Sequence, residues 1–199
     1  MIEVFVIGTV ETEPVFSHKA WGEKFYKFTV ASARISGVVD HLPCVASEIL
    51  TKDISVGDRV TVRGDLRSFK HYDTNKCEIY MFGDSLETPE PDAIDENEAW
   101  GKAYISKVCD LRQTPATLRD ITDLVLKSVW DEHYAYIPSI AWGRNALRVT
   151  EFERGTPVRI DGRFQSRQYE KRLPDGETET RTAYELSLAV IEETEVEDA

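Results

Sequence analysis

The chain has 199 residues, 41% of them apolar, with 36 acids against 24 bases and a formal net charge of −12, which suits one large or two small globular domains. No apolar run approaches the ~20 residues of a membrane helix, and Met1-Ile-Glu-Val-Phe-Val alternates like a strand instead of following the basic-then-apolar order of an export signal. Cys44, Cys77 and Cys109 are odd in number, widely spaced and without a C-x-x-C, so they indicate neither a disulfide framework nor a zinc site, and three reduced thiols in a cytosol are expected.

Taken in order, strand-like segments are expected at 2–10, 25–33, 42–47, 59–67 and 77–82, with a helical turn over 48–53 ahead of Gly57. A short hairpin at 69–76 carries Asp73-Thr-Asn75 at its tip. Residues 88–98 join two prolines to Glu90, Asp92, Asp95, Glu96 and Glu98 without periodicity, the signature of a linker. The strand pattern then returns at 103–109, 121–129, 136–141, 157–165 and 181–191, with 144–153 in the place of the short helix. Within 154–172, Val158, Ile160 and Phe164 alternate with Arg159, Asp161, Arg163 and Arg167, which reads as two strands with one buried face and a bulge or bend at Gly162. Asp175-Gly176 suits a tight reversal and makes the following hairpin a finger able to close over a ligand.

The two halves overlay. Ile7 and Val10 match Ile105 and Val108 at an offset of 98, and Pro43 matches Pro138 at 95. Gly57, Val60, Val62, Gly64, Leu66 and Ser68 match Gly155, Val158, Ile160, Gly162, Phe164 and Ser166, again at 98. Five strands per half, a short helix between the third and fourth and a bent fourth strand give the order of the OB-fold barrel. The expected fold is therefore all-β: two five-stranded OB barrels in tandem with short helices. Its parts are an N-terminal domain at 1–87, an acidic linker at 88–98, a C-terminal domain at 99–193 and an acidic tail at 194–199.

Nothing in the sequence points to catalysis. There is no G-x-S-x-G, H-E-x-x-H, G-x-x-x-x-G-K-S/T or G-x-G-x-x-G, so no enzyme, cofactor or metal is expected. His18, His41, His71 and His133 read as scattered surface residues, and Asp120 and Asp123 as strand residues facing water. The net charge opposes a polyanionic partner, but its distribution does not: 88–98 and the last eight residues carry −5 each, leaving −2 for the other 180, and eight bases face four acids over 144–172. Trp130, Tyr134, Tyr136, Trp142, Tyr169 and Tyr184 sit near strand ends among polar segments, with Trp142 and Tyr169 read as exposed and Trp100 and Tyr104 as core. Rings interleaved with Arg144, Arg148, Arg163, Arg167, Lys171 and Arg172 suit a single nucleic-acid strand, because phosphates attract cations and unstacked bases stack on flat apolar groups. The alternative for the same strand is a solvated face whose tyrosine packs locally.

The segments Tyr136-Ile-Pro-Ser-Ile-Ala-Trp-Gly-Arg-Asn-Ala, Arg154-Gly-Thr-Pro-Val-Arg-Ile-Asp-Gly-Arg-Phe-Gln-Ser-Arg and Arg181-Thr-Ala-Tyr-Glu-Leu-Ser resemble the bacterial single-stranded DNA-binding protein family. Lys107-Val-Cys-Asp-Leu-Arg-Gln-Thr-Pro and Arg119-Asp-Ile-Thr-Asp add the two-barrel, Clostridia-like form. The resemblance implies base stacking on Trp142, Tyr136 and Tyr169, with Trp130 as a looser match. In the first half Ser47 and His71 stand where Trp142 and Tyr169 would, which implies an assembly role for that barrel. The closing E-E-T-E-V-E-D-A is acidic but lacks the hydrophobic tip by which the family recruits replication and repair proteins. Four barrels around the DNA imply a homodimer of this chain.

The expected function is sequence-nonspecific binding and protection of single-stranded DNA in replication, recombination and repair, in a cytoplasmic, nucleoid-associated protein. The alternative is an OB-fold adaptor binding protein partners, such as a primosome-like or mobile-element accessory factor; oligosaccharide binding is a more distant third.

Overall fold

Alternating segments become strands here because each can bury one face in an apolar interior and wet the other. The structure is a computed structural model that describes residues 1–70, 77–115, 117–173 and 176–195. In chain order the elements are β1 (Ile2–Val10), β2 (Val15–Ala20), β3 (Glu23–Ala33), β4 (Val39–Ser47), α1 (Glu48–Thr51), β5 (Arg59–Lys70), β6 (Cys77–Glu87), β7 (Glu96–Val108), β8 (Arg112–Gln113), β9 (Asp120–Trp130), β10 (His133–Trp142), α2 (Arg144–Val149), β11 (Pro157–Arg172) and β12 (Thr178–Glu193). Among the described residues the chain is thus mostly β with two short helices. The sequence pattern does not reveal β2, whose residues are almost all exposed, nor the two-residue β8. The expected hairpin tip with His71, residue Asp175 of the expected reversal and the end of the acidic tail lie outside the described residues. No described helix is long and apolar enough to cross a membrane.

Strand pairing closes two circuits. In the first half β1 pairs with β3, β3 with β4, β4 with β6 in parallel, β6 with β5 and β5 with β1. The second half repeats this through β7, β9, β10, β12 and β11, again with one parallel pairing, β10 to β12. Antiparallel pairing of β1 with β7, from Ile2 opposite Gly101 to Ile7 opposite Glu96, joins the circuits into one sheet. Glu96, Asn97 and Glu98, read from sequence as linker, are therefore strand residues. Buried Val6, Phe28, Leu66, Ile137, Ile160 and Phe164 belong to one apolar cluster spanning both halves.

The repeat is real, with one change of register. β5 shifts against β6 at Arg63/Gly64 and β11 against β12 at Asp161/Gly162. At both bulges a neighbouring carbonyl approaches the glycine: a Cβ on Gly64 would lie 1.8 Å from the Phe82 oxygen, and one on Gly162 2.2 Å from the Ser187 oxygen. The bulge expected at Gly162 is present, but Pro157–Arg172 runs on through it as one 16-residue strand instead of two. In the first strands, Val6 lies opposite Val62 as Gly101 lies opposite Ile160, so β1 and β7 correspond at an offset of 95. The match of Ile7 to Ile105 is three residues out, because both registers set apolar on apolar and only backbone pairing separates them.

Each half also leans on the other. The His41 N–H donates to Ser166 Oγ at 2.9 Å, and the Tyr136 N–H donates to Ser68 Oγ at 3.0 Å, two bonds at matching positions of the repeat. The β3–β4 hairpin of the first half thereby reaches β11, and the β9–β10 hairpin of the second half reaches β5.

Candidate nucleic-acid interface

Strand alternation puts Arg163, Gln165, Arg167, Tyr169 and Lys171 on one face of β11, with Ser187, Glu185, Ala183, Arg181 and Glu179 opposite them on β12. Trp142, at the end of β10, joins this face by donating from Nε1 to Ser187 Oγ at 3.1 Å. Of these, Trp142, Arg163, Gln165, Arg167 and Ser187 line a groove of about 1240 Å³ with Arg34 and Arg119, and Tyr169 and Lys171 lie beyond its lining on the same strand face.

An internal network fixes the arginines. Arg34, from the β3–β4 hairpin, makes a two-pronged pair with fully buried Asp40, at 2.7 and 2.6 Å, and its Nη2 donates to Gln165 Oε1 at 3.3 Å. Asp40 also accepts the Ser166 N–H at 3.0 Å. Gln165 donates to Glu185 at 2.8 Å, and Glu185 lies 3.5 Å from Arg167 Nε. These contacts neutralise Arg34 and Arg167 but leave Arg163 without a paired carboxylate among the described residues. Among the described residues its Nη2 reaches only Gln165, at 3.3 Å, and its Nε is buried without a partner. Burial first, and the neighbouring Arg34 charge second, push the Arg163 guanidinium below its ordinary value, with Asp40 partly opposing. The Arg34–Asp40 hydrogen bond instead raises Arg34. A half-buried cation in this state is stabilised by an incoming anion.

Rings flank the cations. Arg119 lies 5.4 Å from the Trp142 ring centroid and Arg167 5.9 Å from that of Tyr169, which is exposed two residues along the same strand face. Trp100, expected in the core, is half-buried and lines the groove; Tyr104 is half-buried as well.

The other expected site residues scatter more widely. Tyr136 is exposed on the Trp142 face of β10, six residues back and so roughly 20 Å away at ~3.3 Å per residue, with its ring against Tyr134. Lys171 extends the Arg163 face toward the outer end of β11, whereas alternation turns Arg172 to the opposite face. On α2, Arg144 is exposed and Arg148 is tied to the Ile191 carbonyl at 3.4 Å and to Glu192 at 3.9 Å. Trp130 lies apart from Trp142: its hairpin carries it onto the first half, where Arg67 sits 5.3 Å from its ring centroid. Sequence reasoning gave no role to Arg34 or Arg119. Arg119 follows a loop whose basic residue could have been noticed, but Arg34 enters from 131 residues before Gln165, a contact without local signal.

The architecture defines a class, proteins built of paired five-stranded circuits joined edge to edge. Within it the chain has the fold of the bacterial single-stranded DNA-binding proteins. Wild-type single-stranded DNA binding protein from Thermus aquaticus matches with a TM-score of 0.74 at 18% identity, over 100% of this chain and 95% of its own. A deletion variant of that protein gives 0.75 at 19%, over 100% and 96%. The N-terminal domain of PriB from Thermoanaerobacter tencongensis is 34% identical over 44% of this chain and 97% of its own, with a TM-score of 0.39. No protein-family model matches the sequence, and no curated protein matches it.

Proposed function

We propose that the chain is a tandem of two OB barrels, 1–87 and 99–193, that binds single-stranded DNA without sequence preference through the groove of the second barrel. The observation that carries this reading is Arg163, a half-buried cation lacking an anion, set between Trp142 and the Arg167–Tyr169 pair. Phosphates supply the missing charge, and bases stack on the rings. No base-reading pattern is needed, because every base offers a flat face. Counterion release makes the affinity fall as salt rises.

In this reading the protein is cytoplasmic, nucleoid-associated and non-enzymatic, protects exposed strands during replication, recombination and repair alongside proteins of those processes, and acts as a homodimer with four barrels in all. The test is anisotropy of labelled oligo-dT with Trp142→Ala combined with Tyr169→Ala. At about 1–3 kcal/mol per stacked base, losing two rings weakens binding by at least about thirtyfold. Binding that stays as tight as in the unaltered chain rejects the groove.

A further inference from the structure

The first half presents a second groove, of about 530 Å³, at the position that matches the basic one. Strand correspondence sets Glu23 in place of Arg119, Ser47 in place of Trp142, Arg67 in place of Gln165, Phe82 in place of Ser187 and Asp84 in place of Ala189. Trp130 enters this groove from the second half as Arg34 enters the other from the first.

The scaffold is shared and the chemistry inverted. Arg67 is already satisfied within the chain: its guanidinium carbon lies 3.5 Å from the Phe82 ring centroid and 5.3 Å from that of Trp130, and it bonds both oxygens of Asp65 at 2.7 and 3.1 Å. Three carboxylates of the lining, Glu23, Asp84 and Asp131, form no ion pair among the described residues. Burial raises the Asp84 carboxyl, with Asp65 adding to the effect and Arg67 opposing it. At the lip, Trp21 is 84% exposed and held at a φ of 47°, a left-handed backbone that disfavours any side chain. A phosphate chain entering here meets unpaired carboxylates, and the faces of Phe82 and Trp130 are occupied by Arg67. What fits is what the groove has already taken in Arg67: a cation set between aromatic rings and carboxylates.

We propose that this groove binds a segment of a partner protein carrying arginine or lysine beside apolar side chains, with Trp21 covering the cation and its stem and Glu23, Asp84 and Asp131 pairing the charge. The site works independently of what the basic groove binds. The probe is a short labelled peptide alternating arginine with leucine, titrated into the full chain by anisotropy, beside a control peptide with glutamate for arginine. The basic peptide binds saturably, including in the presence of saturating oligo-dT, and the acidic one does not. Trp21→Ala, and separately Glu23→Gln with Asp131→Asn, each weaken it by roughly five- to tenfold, the loss of a cation–π contact or of paired charge. Glu151→Gln with Glu153→Gln, which removes as much charge outside the groove, leaves the affinity unchanged. Absence of saturable binding, equal affinity in the groove variants, or an equal loss in the Glu151 and Glu153 control overturns the proposal. So does displacement of the peptide by oligo-dT that depends on Trp21, which makes the groove a nucleic-acid site instead.

Discussion

The two grooves are one architectural position occupied twice, and their difference shows how a repeated strand pairing carries opposite charge at matching positions. Both sit beside the bulge of the long strand, both take a residue from the other half's hairpin, and both place a side chain at the end of the strand preceding the short helix. In the second half that residue is Trp142 and the rim has Arg119 and Arg163; in the first it is Ser47, the rim has Glu23 where Arg119 stands, and the place of Arg163 is taken by the buried Asp65. Geometry is fixed by backbone pairing, which the repeat preserves in the strand order, whereas electrostatic character depends on single outward-facing side chains that the apolar interior does not constrain.

The largest effect tests whether the scaffolds are truly equivalent. Gly64→Ala and Gly162→Ala each force a methyl group into a carbonyl at under van der Waals distance, so each is expected to cost about 3 kcal/mol in urea unfolding. A variant that loses stability in only one half breaks the equivalence. A smaller effect sharpens the charge contrast. Arg119→Glu, which installs the first half's charge, lowers oligo-dT affinity about tenfold at low salt and flattens the salt slope by about one phosphate contact or more. Glu23→Arg at the matching position shifts oligo-dT affinity by less than about threefold, because the neighbouring carboxylates and Arg67 remain. Equal responses in the two grooves defeat the division of roles.

The smallest effect concerns Asp84. Burial places its folded value above the ordinary 3.8, so the native state favours the protonated form and loses stability as pH rises through the interval between the two values. Asp84→Asn removes that loss. Thermal unfolding is expected to show a slightly raised Tm at neutral pH and no difference once the pH falls below the ordinary carboxylate value.

Much of the fold was legible because its signals are local. Val158, Ile160 and Phe164 alternate at a period of two, Gly64 and Gly162 recur at one spacing, and the pattern of the second half restates that of the first. The site was legible in part. Arg163, Arg167 and Tyr169 share one face of β11 as the alternation implied, and Trp142 meets that face from β10 through Ser187. Trp130 does not join them, since a hairpin's direction across the molecule leaves no trace in its own residues. β2 was invisible because a strand exposed on nearly every residue carries no alternation of burial.

By itself the sequence determined most of the strands, the repeat of the long strand, the bulge glycines and the inventory of rings and cations, all of which follow from neighbours a few residues apart. Only the tertiary structure decided which charges survive. Asp40 cancels Arg34 and Glu185 offsets Arg167, while Arg163 keeps a bare charge, and Asp65 claims Arg67 so that Glu23, Asp84 and Asp131 keep theirs. The physical reason is range: periodicity is set along the chain, whereas desolvation and charge pairing act through space, and although Arg34 and Asp40 are six residues apart, the contacts that tie this pair to Gln165 and Ser166 span more than a hundred residues and exist only once the two circuits have closed against each other.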